Sequence, residues 1–521
     1  MAADHAEALY YLGVGHQKNG DVAQAKAAFY RALELTPDYE EAKAALAEFG
    51  DADTTPAQPQ RRLSTAPLAF TRVTVIDVTG GPSKSDMTVV IEDRRIQALG
   101  PTGSTAIPEG AEVIDASGQF LLPGLWDMHV HILGDPAWFF PLFIANGVTG
   151  VRYMGGSVLP EQWHALRKQI ASGDLLGTRV LAAGPILDGP EPVWPGSIAL
   201  STADEARAAV ADLKRRGADF IKVYHLLPRE VYFAIADEAK KQSIPFAGHV
   251  PLALGSIAAA ATAGQRAIEH IDHALVGSST REAEFLRTAR EFNRAAQDGT
   301  GKETKLSHWQ EYMDSYSAEK AADLYATFVD NGTWYVPTLS IFSAAIFRTA
   351  DTPPDEAKRK YLAPLILDIF ADQYKSTGGF EPPDEALRRE LMQRILGYVG
   401  ELHRAGIPLL AGTDAPVSHV YPGFTLHDEL ALFVEAGLPP LEALQTATLN
   451  PAKFSGQVDS LGTVEAGKIA DLLLLEANPL EDIRNTAKIA GVVVGGRFLP
   501  EESLQAMLAE LEEQIAAIDG D

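Results

Sequence analysis

Not one cysteine occurs in the 521 residues. That excludes disulfides and thiolate chemistry and leaves histidine, carboxylate or modified lysine as side chains able to hold a metal. Positive charge is scarce: 44 Lys and Arg stand against 70 Asp and Glu, a net charge of -26. Such a balance argues against nucleic acid and against anionic membrane surfaces as partners. No apolar run approaches the length of a membrane span. The start, Met1-Ala-Ala-Asp-His5, lacks a signal-peptide pattern, so a cytoplasmic location is the expectation. Apolar residues are plentiful at 46%, enough for a large core, and the length exceeds one ordinary domain.

Residues 1–50 read as helix, turn and helix, with the start of a third. Leu12, Gly13, Gly20, Ala25, Phe29, Ala32 and Pro37 stand at the spacings of a tetratricopeptide repeat, which this segment resembles, with His16 where that pattern usually carries Tyr. A single repeat cannot bury its own apolar face. The segment is therefore expected to pack on the rest of the chain, to form a homo-oligomer, or to recruit a protein partner. A plain α-helical hairpin fits the same residues equally well. Residues 51–66, with Thr-Thr-Pro-Ala-Gln-Pro-Gln, read as a polar linker.

Short alternating segments fill 67–120, among them Phe70–Asp77, Met87–Leu99 and Glu112–Asp115, with a break at Gly80-Gly81-Pro82. The same texture returns over 461–500, at Gly467–Leu475 and Ile489–Arg497. Together the two flanks predict one small β-sandwich. Residues 501–521 carry an acidic amphipathic helix, Glu501 to Ile518.

Between the flanks, over 121–460, lie eight apolar segments mostly separated by helical patterns. They are Leu121–Ile132, Gly147–Met154, Arg179–Leu187, Phe220–Tyr224, Pro245–Val250, Ala267–His273, Trp334–Leu339 and Pro408–Ala415. An α/β chain with eight alternating strands predicts a (β/α)8 TIM barrel. Residues 277–331 and 344–404 exceed ordinary connections and are expected to include lids.

The first segment is the one that matters most. Leu121-Leu-Pro-Gly-Leu-Trp-Asp-Met-His-Val-His-Ile132 ends in His129 and His131, and side chains two apart on a strand point to the same side. Alone, His-x-His is a weak metal signal. Lys222, His249, His270 and Asp414, however, stand at the ends of four further segments. Barrel enzymes place their chemistry at that face, so six such side chains point to a metal site.

Pro-Gly-Leu-Trp-Asp-Met-His-Val-His, Phe-Ile-Lys-Val-Tyr, Ala-Gly-His-Val, Ile-Glu-His and Ala-Gly-Thr-Asp-Ala are the words of the amidohydrolase superfamily, which residues 68–499 resemble. Ala-Thr-Leu-Asn-Pro-Ala and Gly-Thr-Val-Glu-Ala-Gly-Lys-Ile-Ala-Asp-Leu match too. The likeness is to the imidazolonepropionase-like branch, with its Xaa-Pro dipeptidases and ochratoxin-type amidases. It implies that His129, His131 and Asp414 bind one divalent ion and His249 and His270 a second. It implies also that Lys222 is carboxylated by CO2 to a bridging carbamate. An unmodified Lys222 paired with Asp414 in a one-metal site is the alternative. Zinc is the default for such ligands, with Mn, Co or Fe also suited. In this reading Asp414 is the catalytic base and then acid, and the reaction is hydrolysis of an amide or peptide C–N bond in a small peptide or N-acyl amino acid.

Three residues are expected to meet substrate: Tyr224, two positions after Lys222; His225; and Arg152, ending the second strand, where a guanidinium could grip a carboxylate. His273 and His427 read as supporting residues. Cyclic-amide, lactone, ester or organophosphate hydrolysis on the same site is the runner-up, and a scaffold working through the N-terminal repeat is the alternative of another kind.

Overall fold

The computed structural model describes residues 42–45, 66–156, 158–194, 196–297, 311–347, 355–364, 366–367 and 385–519. The chain divides into two compact units, Met1–Arg61 with Trp194–Gly196, and Arg62–Val193 with Ser197–Asp521. In the first, residues 42–45 form a helical turn; the rest of the expected repeat, and the linker at 51–65, lie outside the described residues. The second unit is a mixed α/β fold.

Its two ends build one sheet of eight strands. The order runs Arg497–Pro500, Ile489–Val494, Leu472–Leu475, Phe120–Pro123, Leu68–Val75, Lys84–Glu92, Arg95–Pro101, with Glu112–Asp115 pairing to Leu68–Val75. The two flanks expected to form a sandwich are thus joined by hydrogen bonds in one sheet, which curls over so that Phe70 meets Phe498 at 5.2 Å between ring centroids and Arg95 bridges Ile469. Period-two alternation explains why the inner strand Leu472–Leu475 is leucine at every position. Leu472 and Leu474 pack in a small core with Phe70, Val89, Ile96 and Leu121, whereas Leu473 and Leu475 face the main core with Leu122 and Val492. A correction follows: Leu121–Ile132 is not one strand. Phe120–Pro123 pairs with Leu472–Leu475, and Leu125–Val130 pairs with Val148–Tyr153. The chain passes between the two sheets at Gly124, where a Cβ would lie 2.2 Å from Thr149 Oγ1.

Leu125–Val130, Val148–Tyr153 and Arg179–Ala182 form a parallel three-stranded sheet. A second parallel sheet of six strands orders Ile198–Ala199, Leu187–Asp188, Ile221–Val223, Phe246–Gly248, Ala267–Glu269 and Trp334–Val336. Isolated parallel bridges join them, Ala183 to Phe220 on one side, and Tyr335 to Leu409 with Val130 to Ala415 on the other. Pro408–Ala415, expected as a full strand, pairs only through those bridges and the hydrogen bonds around them. Its Asp414 adopts φ 63, and Ala415-Pro416 is cis.

Helices on the connections are closed by local chemistry. Before Ala203–Arg216, Thr202 Oγ1 accepts from Glu205 N at 3.3 Å while Glu205 Oε2 accepts from Thr202 N at 3.0 Å. Gly217, at φ 94, ends the helix in the left-handed conformation. The C-terminal helix, Glu501–Asp519, packs Leu504, Leu508, Leu511 and Ile515 into the main core, one face of a 3.6-residue period. Of the long connections expected to carry lids, residues 298–310, 348–354 and 368–384 lie outside the described residues. No described helix is long and apolar enough to cross a membrane.

Candidate metal centre

His129 is the fifth residue of Leu125–Val130, and His131 follows that strand. Asp414 comes to them because its own N–H donates to His129 O at 2.8 Å. Buried Asp127 ties the same two segments, accepting from His129 N at 3.2 Å and from Thr413 N and Oγ1 at 3.0 and 2.6 Å. Burial pushes the Asp127 carboxyl up to about 6, against those donors. Asp414 Oδ1 then sits 3.2 Å from Nε2 of both His129 and His131.

The outer nitrogens decide what that cluster can do. Nδ1 of His131 meets Gly155 O at 2.8 Å, and Nδ1 of His129 meets Glu269 Oε2 at 2.9 Å. Both partners are acceptors, so each Nδ1 carries a proton and Nε2 is the ring atom that each histidine presents to Asp414. His129 Nε2 is buried without a hydrogen-bond partner among the described residues. Burial alone would raise the Asp414 carboxyl, but the neighbouring imidazoles of His129 and His131 hold it well below the usual range. Two imidazole nitrogens and a carboxylate oxygen within 4.8 Å of one another make up a donor set suited to a divalent cation.

Beside it lies a second group. Lys222, in Ile221–Val223, is fully buried, and its Nζ has no hydrogen-bond partner among the described residues. Burial pulls the amine down to about 8, opposed by Glu269 and Asp414 and assisted by Arg152. His249 Nε2 lies 2.9 Å from His270 Nε2, and the His129 and His270 ring centroids are 4.9 Å apart, so the groups adjoin. Burial, with neighbouring imidazoles, keeps His249 well below its ordinary value; burial also depresses His270, against Asp414.

Backbone geometry is committed to this placement. His270 and Thr338 hold φ 68 and φ 50, left-handed values that cost a non-glycine residue free energy. His270 Nδ1 meets Thr338 Oγ1 at 2.8 Å, and its carbonyl accepts from Tyr335 Oη at 2.7 Å. Thr338 opens the helix Leu339–Phe347, whose first N–H groups, Leu339 and Ser340, donate to the buried Glu429 carboxylate at 2.8 and 2.7 Å. Gly248 runs at φ 136; a Cβ there would lie 2.2 Å from Val223 O and 3.0 Å from Lys222 Cδ.

The residues read as substrate contacts fare differently. Arg152 is fully buried. Its Nε donates to Met128 O at 2.6 Å and its Nη2 to Glu269 Oε1 and Oε2 at 2.8 and 2.7 Å. The expected carboxylate clamp is corrected to a buried ion pair beneath the site. Glu269 is the residue missed: it orients His129, and burial, which would raise it, is outweighed by Arg152, His129 and Lys222. No local signal pairs it with Arg152: the structure shows that both lie in wholly buried strands, where opposite charges need partners. Tyr224 is 9% exposed, its ring 4.1 Å from that of His249. His225 turns Nε2 onto His249 Nδ1 at 2.7 Å, and His273 Nε2 accepts from Val250 N at 3.3 Å. His427 is buried against Thr486 Oγ1 at 3.0 Å, not against a member of the cluster.

Comparison with known proteins places this geometry among relatives. The sequence profile described as "Amidohydrolase family" matches residues 120–499. Ochratoxinase from Aspergillus niger is 24% identical over 424 residues, covering 70% of this chain and 72% of that one. Among solved structures, a putative prolidase from Bifidobacterium longum superposes with a TM-score of 0.61 at 25% identity, covering 86% of this chain and 100% of that one. Bottromycin amidohydrolase shares the fold with a TM-score of 0.65 at 21% identity, over 86% and 90% of the two chains.

Proposed function

The chain belongs to the amidohydrolase family, and from that premise we propose that it is a metal-dependent hydrolase cleaving an amide or peptide C–N bond in a small peptide or N-acyl amino acid. One observation carries the reading: His129 Nε2 and His131 Nε2 each lie 3.2 Å from Asp414 Oδ1, the three atoms within 4.8 Å of one another, beside the orphaned amine of Lys222. The likeness to an ochratoxinase and to a putative prolidase favours amides over other acyl substrates.

We read residues 121–460 as a (β/α)8 barrel closed by the parallel bridges at Ala183, Leu409 and Ala415, with the flanking sheet a separate lobe. His129, His131 and Asp414 would hold one ion, and His249 and His270 a second; zinc suits this set of imidazoles and carboxylate. Lys222 is suited to join the two. Its depressed pKa, about 8, leaves neutral amine available near physiological pH. Such an amine adds to CO2, forming an N–C bond and losing a proton, and the resulting carbamate is anionic where an ammonium would repel cations. Bound there, two divalent ions would supply hydroxide at neutral pH and polarise the scissile carbonyl.

The chain's own groups do the rest. Asp414, held ionised by its histidine neighbours, takes the proton of the attacking water and returns it to the leaving nitrogen. Glu269 and the Gly155 carbonyl keep His129 and His131 in one tautomer throughout. Tyr224, packed on His249, is the candidate to donate to the developing oxyanion.

The test is metal analysis followed by turnover on dipeptides, N-acyl amino acids, lactams and esters. Amide hydrolysis that disappears on chelation, returns with zinc, and falls about 10²- to 10⁴-fold in kcat for Asp414→Asn supports the reading. Protein that retains no ion, or amide turnover indifferent to chelator, overturns it.

A further inference from the structure

His225 lies with its Nε2 2.7 Å from Nδ1 of His249, the two rings meeting edge to face at 84° with centroids 4.2 Å apart. The loop carrying it is fixed from behind. His225 O accepts from Leu252 N at 3.0 Å, and Leu226 N and Val193 N both donate to the buried Asp188 carboxylate, at 2.7 and 3.0 Å. The Tyr224 ring lies against that of His225, tilted by 55°, centroids 4.6 Å apart.

We propose that His225 is a positioning residue: it accepts the Nδ1–H of His249, locks that ring in the tautomer whose lone pair lies on Nε2, and thereby sets the affinity of the second ion. This rests on the two-ion reading above. A neutral imidazole has one N–H and one lone pair, and a partner at one nitrogen decides which is which. Each of the other three rings has an oxygen for this purpose: Glu269 for His129, Gly155 O for His131, Thr338 Oγ1 for His270. His249 has an imidazole nitrogen instead, and the backbone of Gly248, at φ 136, aims the ring toward it.

His225, His249 and His273 could also be imagined as a cation site of their own, since their ring nitrogens lie within 4.8 Å of one another. Two facts weigh against that use. An imidazole already giving Nε2 to one ion offers a lone pair at Nδ1 only as imidazolate. In addition, His273 Nε2 is accepting from Val250 N at 3.3 Å. The short contact is therefore a hydrogen bond within one site.

The experiment titrates metal-free wild type, His225→Phe and His225→Gln with zinc against a chromophoric chelator, with circular dichroism to check that each variant is folded. Wild type takes two equivalents. His225→Phe keeps the first and binds the second about 10- to 100-fold more weakly, the usual effect of losing a partner behind a metal ligand. His225→Gln, whose Oε1 accepts the same N–H, recovers most of the loss, which a merely space-filling role would not explain. A His225→Phe protein binding its second equivalent as tightly as wild type overturns this inference alone. Wild type that takes up no second equivalent overturns the two-ion reading with it.

Discussion

Replacing Arg152 by methionine separates two roles that a guanidinium on this strand could have. In the structure its head is fully buried, donating to both oxygens of Glu269 at 2.8 and 2.7 Å and to Met128 O at 2.6 Å. Phe220 and Phe454 flank it, with ring centroids 5.7 and 5.1 Å away. Methionine keeps the apolar stem and removes every donor. Glu269 is then left ionised in the interior with His129 as its remaining partner, the situation in which breaking a buried pair costs about 3–5 kcal/mol. The carboxyl can escape by taking a proton, but a protonated Glu269 is a poorer acceptor for His129 Nδ1–H. Affinity for the first ion therefore falls together with stability. Urea unfolding of chelator-stripped protein reads the first effect and metal titration the second. Removing the stranded charge, as Arg152→Met with Glu269→Gln, should recover part of the stability, a coupling that a double-mutant cycle measures. A single variant destabilised by no more than about 0.5 kcal/mol, the range of ordinary surface changes, with KM raised only for substrates bearing a free carboxylate, would refute this argument and restore a substrate role.

His427 loses its proton at about 4 because burial disfavours the imidazolium. A folded value below the unfolded one means that its contribution is fully present above about pH 6.5 and is lost as pH falls through about 4, roughly 3 kcal/mol in all. Unfolding free energies between pH 7 and 4 should be correspondingly less steep for His427→Gln, and an identical slope would discount the residue. Gly248→Ala places a Cβ 2.2 Å from Val223 O at a φ of 136, so it should destabilise the protein by at least about 2 kcal/mol. Metal retention should fall too, since Lys222 is displaced; a variant with wild-type melting and metal content would contradict the packing described. Lys222→Met removes the only proposed bridge and should abolish any dependence of reconstitution on added bicarbonate, measured as activity regained by the metal-free protein.

Much of the site could be read from the chain because its residues occupy strand ends, and strand direction is a local property. A continuous apolar run in an alternating α/β pattern marks a buried parallel strand, and whatever polar residue ends it is presented at one face. By that reasoning His129, His131, Lys222, His249, His270 and Asp414 belong at one face. Likeness to the amidohydrolase family and the joining of 67–120 with 461–500 were legible for the same reason, through short words and period-two alternation.

Partnership across the fold was not legible, because it depends on which strands become neighbours. Arg152 and Glu269 are 117 positions apart; nothing near either one says that the cation faces inward to a carboxylate and not outward to substrate. The apolar run 121–132 carries no mark that its first half joins Leu472–Leu475 and its second half Val148–Tyr153, since leucine suits either sheet. His225 looked outward by simple succession after Tyr224, until the turn pinned by Asp188 folded it back on His249. Local alternation and composition determined which side chains this protein offers at its strand ends. Tertiary packing alone decided which of them touch, because hydrogen bonds and buried charges are satisfied by whatever the fold brings within 3 Å or so, whatever their distance along the chain.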